Sequence, residues 1–195
     1  GGTAWDIPGT IEAGKYDFFE GGKGQNIAYM DVTTANTGDF RMDEYVDAAA
    51  HATEGAYVGS IAPGEWLEYT IHVAEAGMYS LAFRYASGNA AGGGPFRLEL
   101  DGQPVSGDIS VPSTSSTVWT VWATKTETGI PFTPGKHVLR ISFSNGEFNL
   151  AKMTFTRTGD LPYSYPTALA GGKLTVILPL TTAMLNGSAS TESAS

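Results

Sequence analysis

Two tryptophans three positions apart, Trp119 and Trp122, follow a run of hydroxyl residues, Ser113 to Thr117. The run reads as a loop, so Trp119 is an aromatic plane set where packing does not require one. Trp122 falls further into the next strand and is expected to be buried. An aromatic plane held out on a loop suits a ring with an apolar C–H face and a belt of hydroxyls, which is stacked on one side and hydrogen-bonded round its edge. Asn149, in Gly146 to Leu150 (GEFNL), carries a donor and an acceptor on one amide, the pairing that grips two vicinal hydroxyls. The same residue type also stabilises turns. Trp66, Glu68 and His72 share one face of a strand, but a Trp in GEWLEY serves packing as readily.

No set of residues with covalent or acid–base chemistry stands beside these. Glycoside hydrolysis needs two carboxylates flanking one bond, and Glu65 and Glu68, an odd number of residues apart, point to opposite faces of one strand. His51, His72 and His137 show no metal-ligand spacing. There is no Gly-x-Ser-x-Gly elbow, and Gly92-Gly93-Gly94 precedes a strand instead of a helix, which excludes a phosphate loop. With no cysteine in the chain, a thiol nucleophile and a disulfide framework are ruled out.

The elements that must position these residues are strands. Glu65 to Val73 alternates, with Leu67, Tyr69, Ile71 and Val73 on one face; Tyr79 to Tyr85 does the same through Tyr79, Leu81, Phe83 and Tyr85. Phe96 to Leu100 runs into Asp101-Gly102, a pair that accepts the positive φ angles of a tight hairpin. His137 to Phe143 and Leu150 to Phe155 supply two more strands across the turn Ser144-Asn145-Gly146. Helical periodicity is nearly absent, and the Ala-rich stretch Asp47 to Ala52 is too short for a helix of its own. Short alternating strands about ten residues apart with Gly/Pro turns predict an all-β chain, an antiparallel β-sandwich of jelly-roll type.

The 195 residues suffice for one well-filled domain. An apolar fraction of 42% against 16% charged residues excludes a disordered chain. A net charge of -9 argues against nucleic acid and anionic membrane as partners, and against sulfated or uronic-acid polymers, leaving a neutral partner. No segment reaches the ~18 apolar residues of a membrane span. Gly1-Gly2-Thr3 has no signal-peptide pattern and reads as a cut domain boundary. Composition changes after Arg157: 1–157 is expected to be the main domain, 158–166 (TGDLPYSYP) a linker, and 167–195 a piece too short to bury a core alone.

Several segments together resemble carbohydrate-binding module family 6. These are Ile7-Pro8-Gly9-Thr10-Ile11-Glu12-Ala13, Gly24 to Asp31 (GQNIAYMD), Phe40 to Asp47 (FRMDEYVD) and Pro63 to Tyr69 (PGEWLEY), the last being the most specific. Gly77-Met78-Tyr79, Ala86-Ser87-Gly88, the Trp-x-x-Trp of Val118 to Trp122, and Gly146 to Leu150 follow in order. The tail from Ala168, with LTVILP and LNGSAST, is similar to the first strands of PKD-type immunoglobulin-like domains, of which it would be a truncated start.

The resemblance implies a non-catalytic module that holds a parent glycoside hydrolase on a neutral polysaccharide, secreted or at the cell surface, as a monomer. It places a sugar-stacking Trp at Trp119 and the ligand amide at Asn149. It places the second wall of a loop-end cleft in the segment holding Tyr45, expected first, and Phe40, expected second, with Glu44 as a hydroxyl acceptor. It implies a structural calcium with Glu12 among its ligands, although Gly14 and Ala151-Lys152 stand where further oxygen donors are common. The GQNIAYMD to EYVD stretch looks most like modules of laminarinases, which favours β-1,3-glucan (laminarin) over agarose or xylan. The rival from another class is a structural or adhesive β-sandwich that contacts protein.

Overall fold

The computed structural model describes residues 4–162. Its strands form two sheets. The first runs in the order β1 (Trp5–Ile7), β6 (Trp66–Val73), β12 (Gly135–Phe143), β8 (Gly93–Leu100), β10 (Ile109–Val111), with β3 (Tyr29–Met30) also on β6 and β9 (Gln103–Pro104) also on β8. The second runs β11 (Ala123–Phe132), β7 (Gly77–Ala86), β13 (Asn149–Gly159), β5 (Gly55–Val58), β4 (Ala48–His51), with β2 (Gly9–Glu12) also on β13. This is the expected all-β sandwich. One pairing departs from the antiparallel expectation: β1 lies parallel to β6, Trp5 opposite Ile71. Among the described residues no helix is long and apolar enough to cross a membrane.

The alternation read in the sequence sets the inner faces. Leu67, Tyr69, Ile71 and Val73 of β6 and Tyr79, Leu81, Phe83 and Tyr85 of β7 are all buried. The sheets meet through aromatic rings. Phe96 of β8 packs edge-on against Phe83 of β7 at 5.2 Å and lies at 5.8 Å from Phe148, while Tyr79, Phe132 and Phe155 form a second cluster. Each such side chain contributes about 2–3 kcal/mol by leaving water, so the scaffold is held independently of the loops. Asp101 and Gly102 both take positive φ in the β8–β9 hairpin, as their types predict.

Two local expectations change. The Ala-rich stretch forms β4, because Ala48–His51 gains a ladder with β5 that a helix so short could not match. Thr158 and Gly159, assigned by composition to a linker, belong to β13; Gly159 sits opposite Met78, and the compact unit closes there. The expected linker beyond residue 162, and the 167–195 piece with its PKD-like resemblance, lie outside the described residues.

Candidate functional site

One end of the sandwich carries a cleft of about 550 Å³. Trp119 is one wall, 41% exposed and flanked by the exposed Val118 and Val121. Its place is fixed by the backbone around it. Buried Ser87, just past the end of β7, gathers the loop: its carbonyl accepts from Thr114 N and Ser115 N, both at 3.1 Å, and its hydroxyl donates to Glu147 O at 2.7 Å. Ser115 Oγ then accepts from Val118 N at 3.0 Å, which turns the chain into Trp119. The indole lies over Gly88, where a Cβ would stand 2.7 Å from the ring, so glycine is needed for this close approach.

Asn149, at the start of β13, donates from Nδ2 to Trp119 O at 2.8 Å and ties the platform to the sheet. Its Oδ1 faces Gly59, where a Cβ would come within 2.8 Å, and accepts no hydrogen bond among the described residues. The amide oxygen is therefore left without a partner beside the Trp119 indole. Trp119 and Asn149, expected together from the sequence, line the same cleft.

The second aromatic wall is Tyr57 of β5, in place of Tyr45 or Phe40. Tyr57 lies between the buried Ala56 and Val58 and turns out of the core by strand alternation. Trp122 supports it edge-on at 5.4 Å, with His51 of β4 5.7 Å behind Trp122. Trp122 is half-buried, and its Nε1 has no partner among the described residues. Phe40 is turned elsewhere by its own backbone, with Phe40 N donating to Ala48 O at 3.0 Å and Arg41 at φ 54. It lines a separate depression with Glu44. Glu44 is buried, accepting from Gly24 N at 3.1 Å and from Arg41 Nη2 at 3.4 Å, so its oxygens serve the fold. Tyr45 packs on the core, with Lys23 Nζ 4.4 Å from its ring centroid.

The polar lining also includes Asp47, which sequence reasoning passed over. Its Oδ1 accepts from Thr37 N at 2.5 Å and Thr37 Oγ1 at 2.6 Å, and its other oxygen accepts nothing among the described residues. Glu147 adds a second carboxylate, and the lining holds no Lys or Arg. The signal for Tyr57 was present in Gly55–Val58: a short alternating strand with one aromatic facing out, ahead of Gly59-Ser60.

Other candidate chemistry is engaged structurally. Glu65 is buried, accepting from Ala62 N at 2.9 Å and Val32 N at 3.2 Å; burial, with Asp31 and Asp47 nearby, pushes its carboxyl up to about 7. Glu68 receives Arg140 at 2.6 Å, and that guanidinium lies over one face of the Trp66 ring at 4.0 Å. Glu12 does not fit a calcium ligand set. Its Oε1 accepts from Lys15 Nζ at 2.7 Å and its Oε2 from Ala56 N at 2.9 Å. Burial opposes its charge, but these bonds and the nearby Lys152 outweigh that and hold the carboxyl below its usual range. Among the described residues no group of three or more His, Asp or Glu is gathered in one place.

An exposed aromatic plane, an amide with a spare acceptor and carboxylates without a cation, set at the end of a jelly roll, define a non-catalytic carbohydrate-binding module. The model for carbohydrate binding module family 6 matches residues 44–157, more than half of the 195, and the chain belongs to that family. Solved structures agree in fold. The C-terminal module of the laminarinase LamC from Zobellia galactanivorans is 26% identical, with 76% of this chain and 98% of that one covered and a TM-score of 0.57. The module CBM6cm-2 of Cellvibrio mixtus lichenase 5A, solved with cellotriose, is 25% identical over 78% of this chain and 98% of that one, with a TM-score of 0.54. A β-1,3-glucan-binding module from Bacillus halodurans shares the fold at 20% identity, over 78% and 98% of the two chains, with a TM-score of 0.52. No curated protein matches the chain.

Proposed function

We propose that this module binds a neutral β-glucan, β-1,3-glucan (laminarin) first, in the cleft between Trp119 and Tyr57. On this reading it acts as a monomer, secreted or at the cell surface, and keeps a parent glycoside hydrolase on its substrate. The observation that carries it is the pairing of two aromatic walls with Asn149 and Asp47 in a cleft lacking any cation. Stacking supplies the contact area and the amide and carboxylate oxygens take hydroxyl protons, whereas an anionic sugar would meet Asp47 and Glu147 unopposed. Support for the glucan comes from the similarity to a module of a laminarinase and to one solved with cellotriose. The benefit to the parent enzyme is local concentration, with no change in its chemistry. Lys15 Nζ and Ala56 N engage Glu12 in the position where the family resemblance implied calcium.

Affinity electrophoresis and calorimetry with laminarin, agarose and xylan test the reading. Trp119→Ala is expected to weaken binding by about 2 kcal/mol or more, roughly 30-fold, without changing the melting temperature. Tyr57→Ala is expected to weaken binding to a similar extent and Tyr45→Ala to leave affinity unchanged. Unaltered laminarin binding in both Trp119→Ala and Tyr57→Ala would reject the cleft. Retardation by agarose alone replaces the ligand and keeps the module. No retardation in any neutral polysaccharide favours an adhesive sandwich.

A further inference from the structure

A second exposed aromatic is held by the same device as Trp119. Phe19 is also 41% exposed, and its ring lies over Gly21, where a Cβ would stand 2.4 Å from Cε1. Gly22 closes the turn, its N donating to Phe19 O at 3.2 Å with φ at 135°. A ring so exposed adds little to the core, and with the exposed Phe18 beside it in the same depression it forms an apolar patch, the kind of surface that marks a contact site.

Phe19 lines a depression of about 500 Å³ together with Trp5, Phe40, Arg41 and Glu44. Both cations of the lining are engaged, and Asp17 and Asp43 add carboxylates with no cationic partner among the described residues. Arg41 donates to Tyr16 O, to Asp17 O at 3.2 Å and to Glu44 at 3.4 Å, and its guanidinium lies 3.8 Å over the Tyr16 ring. Lys15 is taken up by Glu12 at 2.7 Å. Such a surface suits an uncharged ligand with an apolar face.

One segment of the chain contributes to both the depression and the cleft. Thr37, Gly38 and Asp47 line the cleft, while Phe40, Arg41 and Glu44, within the same short segment, line the depression. Asn36 Nδ2, donating to Phe40 O at 3.0 Å, and Phe40 N, donating to Ala48 O at 3.0 Å, pin that segment.

We propose that the depression is a distal subsite for the glycan chain that occupies the Trp119 cleft, with Phe19 as its stacking platform. The proposal rests on the reading of the cleft as a glucan site. A ligand long enough to engage both gains from the second contact as an intramolecular event, and a short one does not.

Calorimetry on the full chain with laminarin and with laminaritriose, each repeated with the corresponding agarose ligands, tests it. Phe19→Ala is expected to weaken polymer binding by about tenfold, keep trisaccharide affinity within about twofold and leave the melting temperature unchanged; Phe19→Trp is expected to restore polymer binding. Equal polymer affinity in the unaltered chain and Phe19→Ala, with Trp119→Ala still weakening binding, overturns the distal subsite and leaves the cleft standing. Loss of trisaccharide and polymer binding together in Phe19→Ala also overturns it, because the residue would then act on the cleft itself. Failure of the unaltered chain to bind any of these ligands overturns both readings.

Discussion

Single residues here do work that their types only partly announce. Gly88 and Gly21 act by lacking a side chain, each letting an aromatic plane settle against backbone while its other face stays open. Glu12 is the reverse case, an acidic side chain whose family resemblance implied calcium and whose actual partners are Lys15 and Ala56 N–H. The ammonium supplies the positive charge at no cost in free oxygen ligands. Melting of the purified chain is therefore expected to be the same in 1 mM calcium and in excess chelator, to within about 1 °C, since nothing that binds only the native state is removed. Glu12→Gln is expected to lower stability by about 1 kcal/mol through its weakened bonds, equally in both buffers. A calcium-dependent rise in melting temperature that Glu12→Gln abolishes would reject this account.

At the scale of elements, the cleft is built where β5, the start of β13 and the loop before β11 come together at one end of the sandwich. The loop has no ladder of its own and depends on Ser87, at the end of the longest-paired stretch of β7, for its anchor. The opposite wall depends on packing between loop and sheet: Tyr57 of β5 leans on Trp122, which leans on His51 of β4. Trp122→Ala is accordingly expected to do what Trp119→Ala does not, lowering stability by about 2 kcal/mol and glucan affinity several-fold together. Urea denaturation alongside calorimetry separates the two behaviours. An affinity loss in Trp122→Ala with unchanged stability would place Trp122 in contact with ligand.

For the whole molecule, a buried acidic group makes stability depend on pH. Glu65 titrates near 7 in the fold and near its ordinary value of 4.5 when unfolded, so between those values the native state binds the extra proton. Its contribution is fully present below about 4.5 and is lost as pH rises to about 7, on the order of 3 kcal/mol. Asp31, also raised by burial, acts in the same direction. Glu12, Glu54 and Asp101 are held low and act oppositely, stabilising above their ordinary range and losing that as pH falls. Maximum stability is thus expected near pH 5, with urea midpoints falling towards pH 8, and Glu65→Gln is expected to flatten that slope. A midpoint that rises steadily from pH 5 to 8 would contradict the buried, protonated state of Glu65.

The strands were legible because alternation is a local property: a period of two in Leu67, Tyr69, Ile71 and Val73 dictates which face is buried whatever the partner strand is. Trp119 and Asn149 were legible for a related reason, since hydroxyl-rich and Gly/Asn-rich segments announce loops and a loop has little use for an indole. The second wall was not. Tyr45 and Phe40 lie in a segment whose composition allowed either ring to face the cleft, and the choice was made by distant bonds, Phe40 N to Ala48 O and Tyr45 N to Tyr29 Oη. Tyr57 enters because β5 pairs with β13 at Leu150, beside Asn149. Glu12 likewise kept its residue type but took its partners from Lys15 and from Ala56, 44 positions away. Sequence by itself determined the strands, the core faces and one exposed indole, since these follow from neighbours along the chain. Only the tertiary structure decided what stands opposite that plane and what neutralises Glu12, because both depend on segments brought together by the sheets.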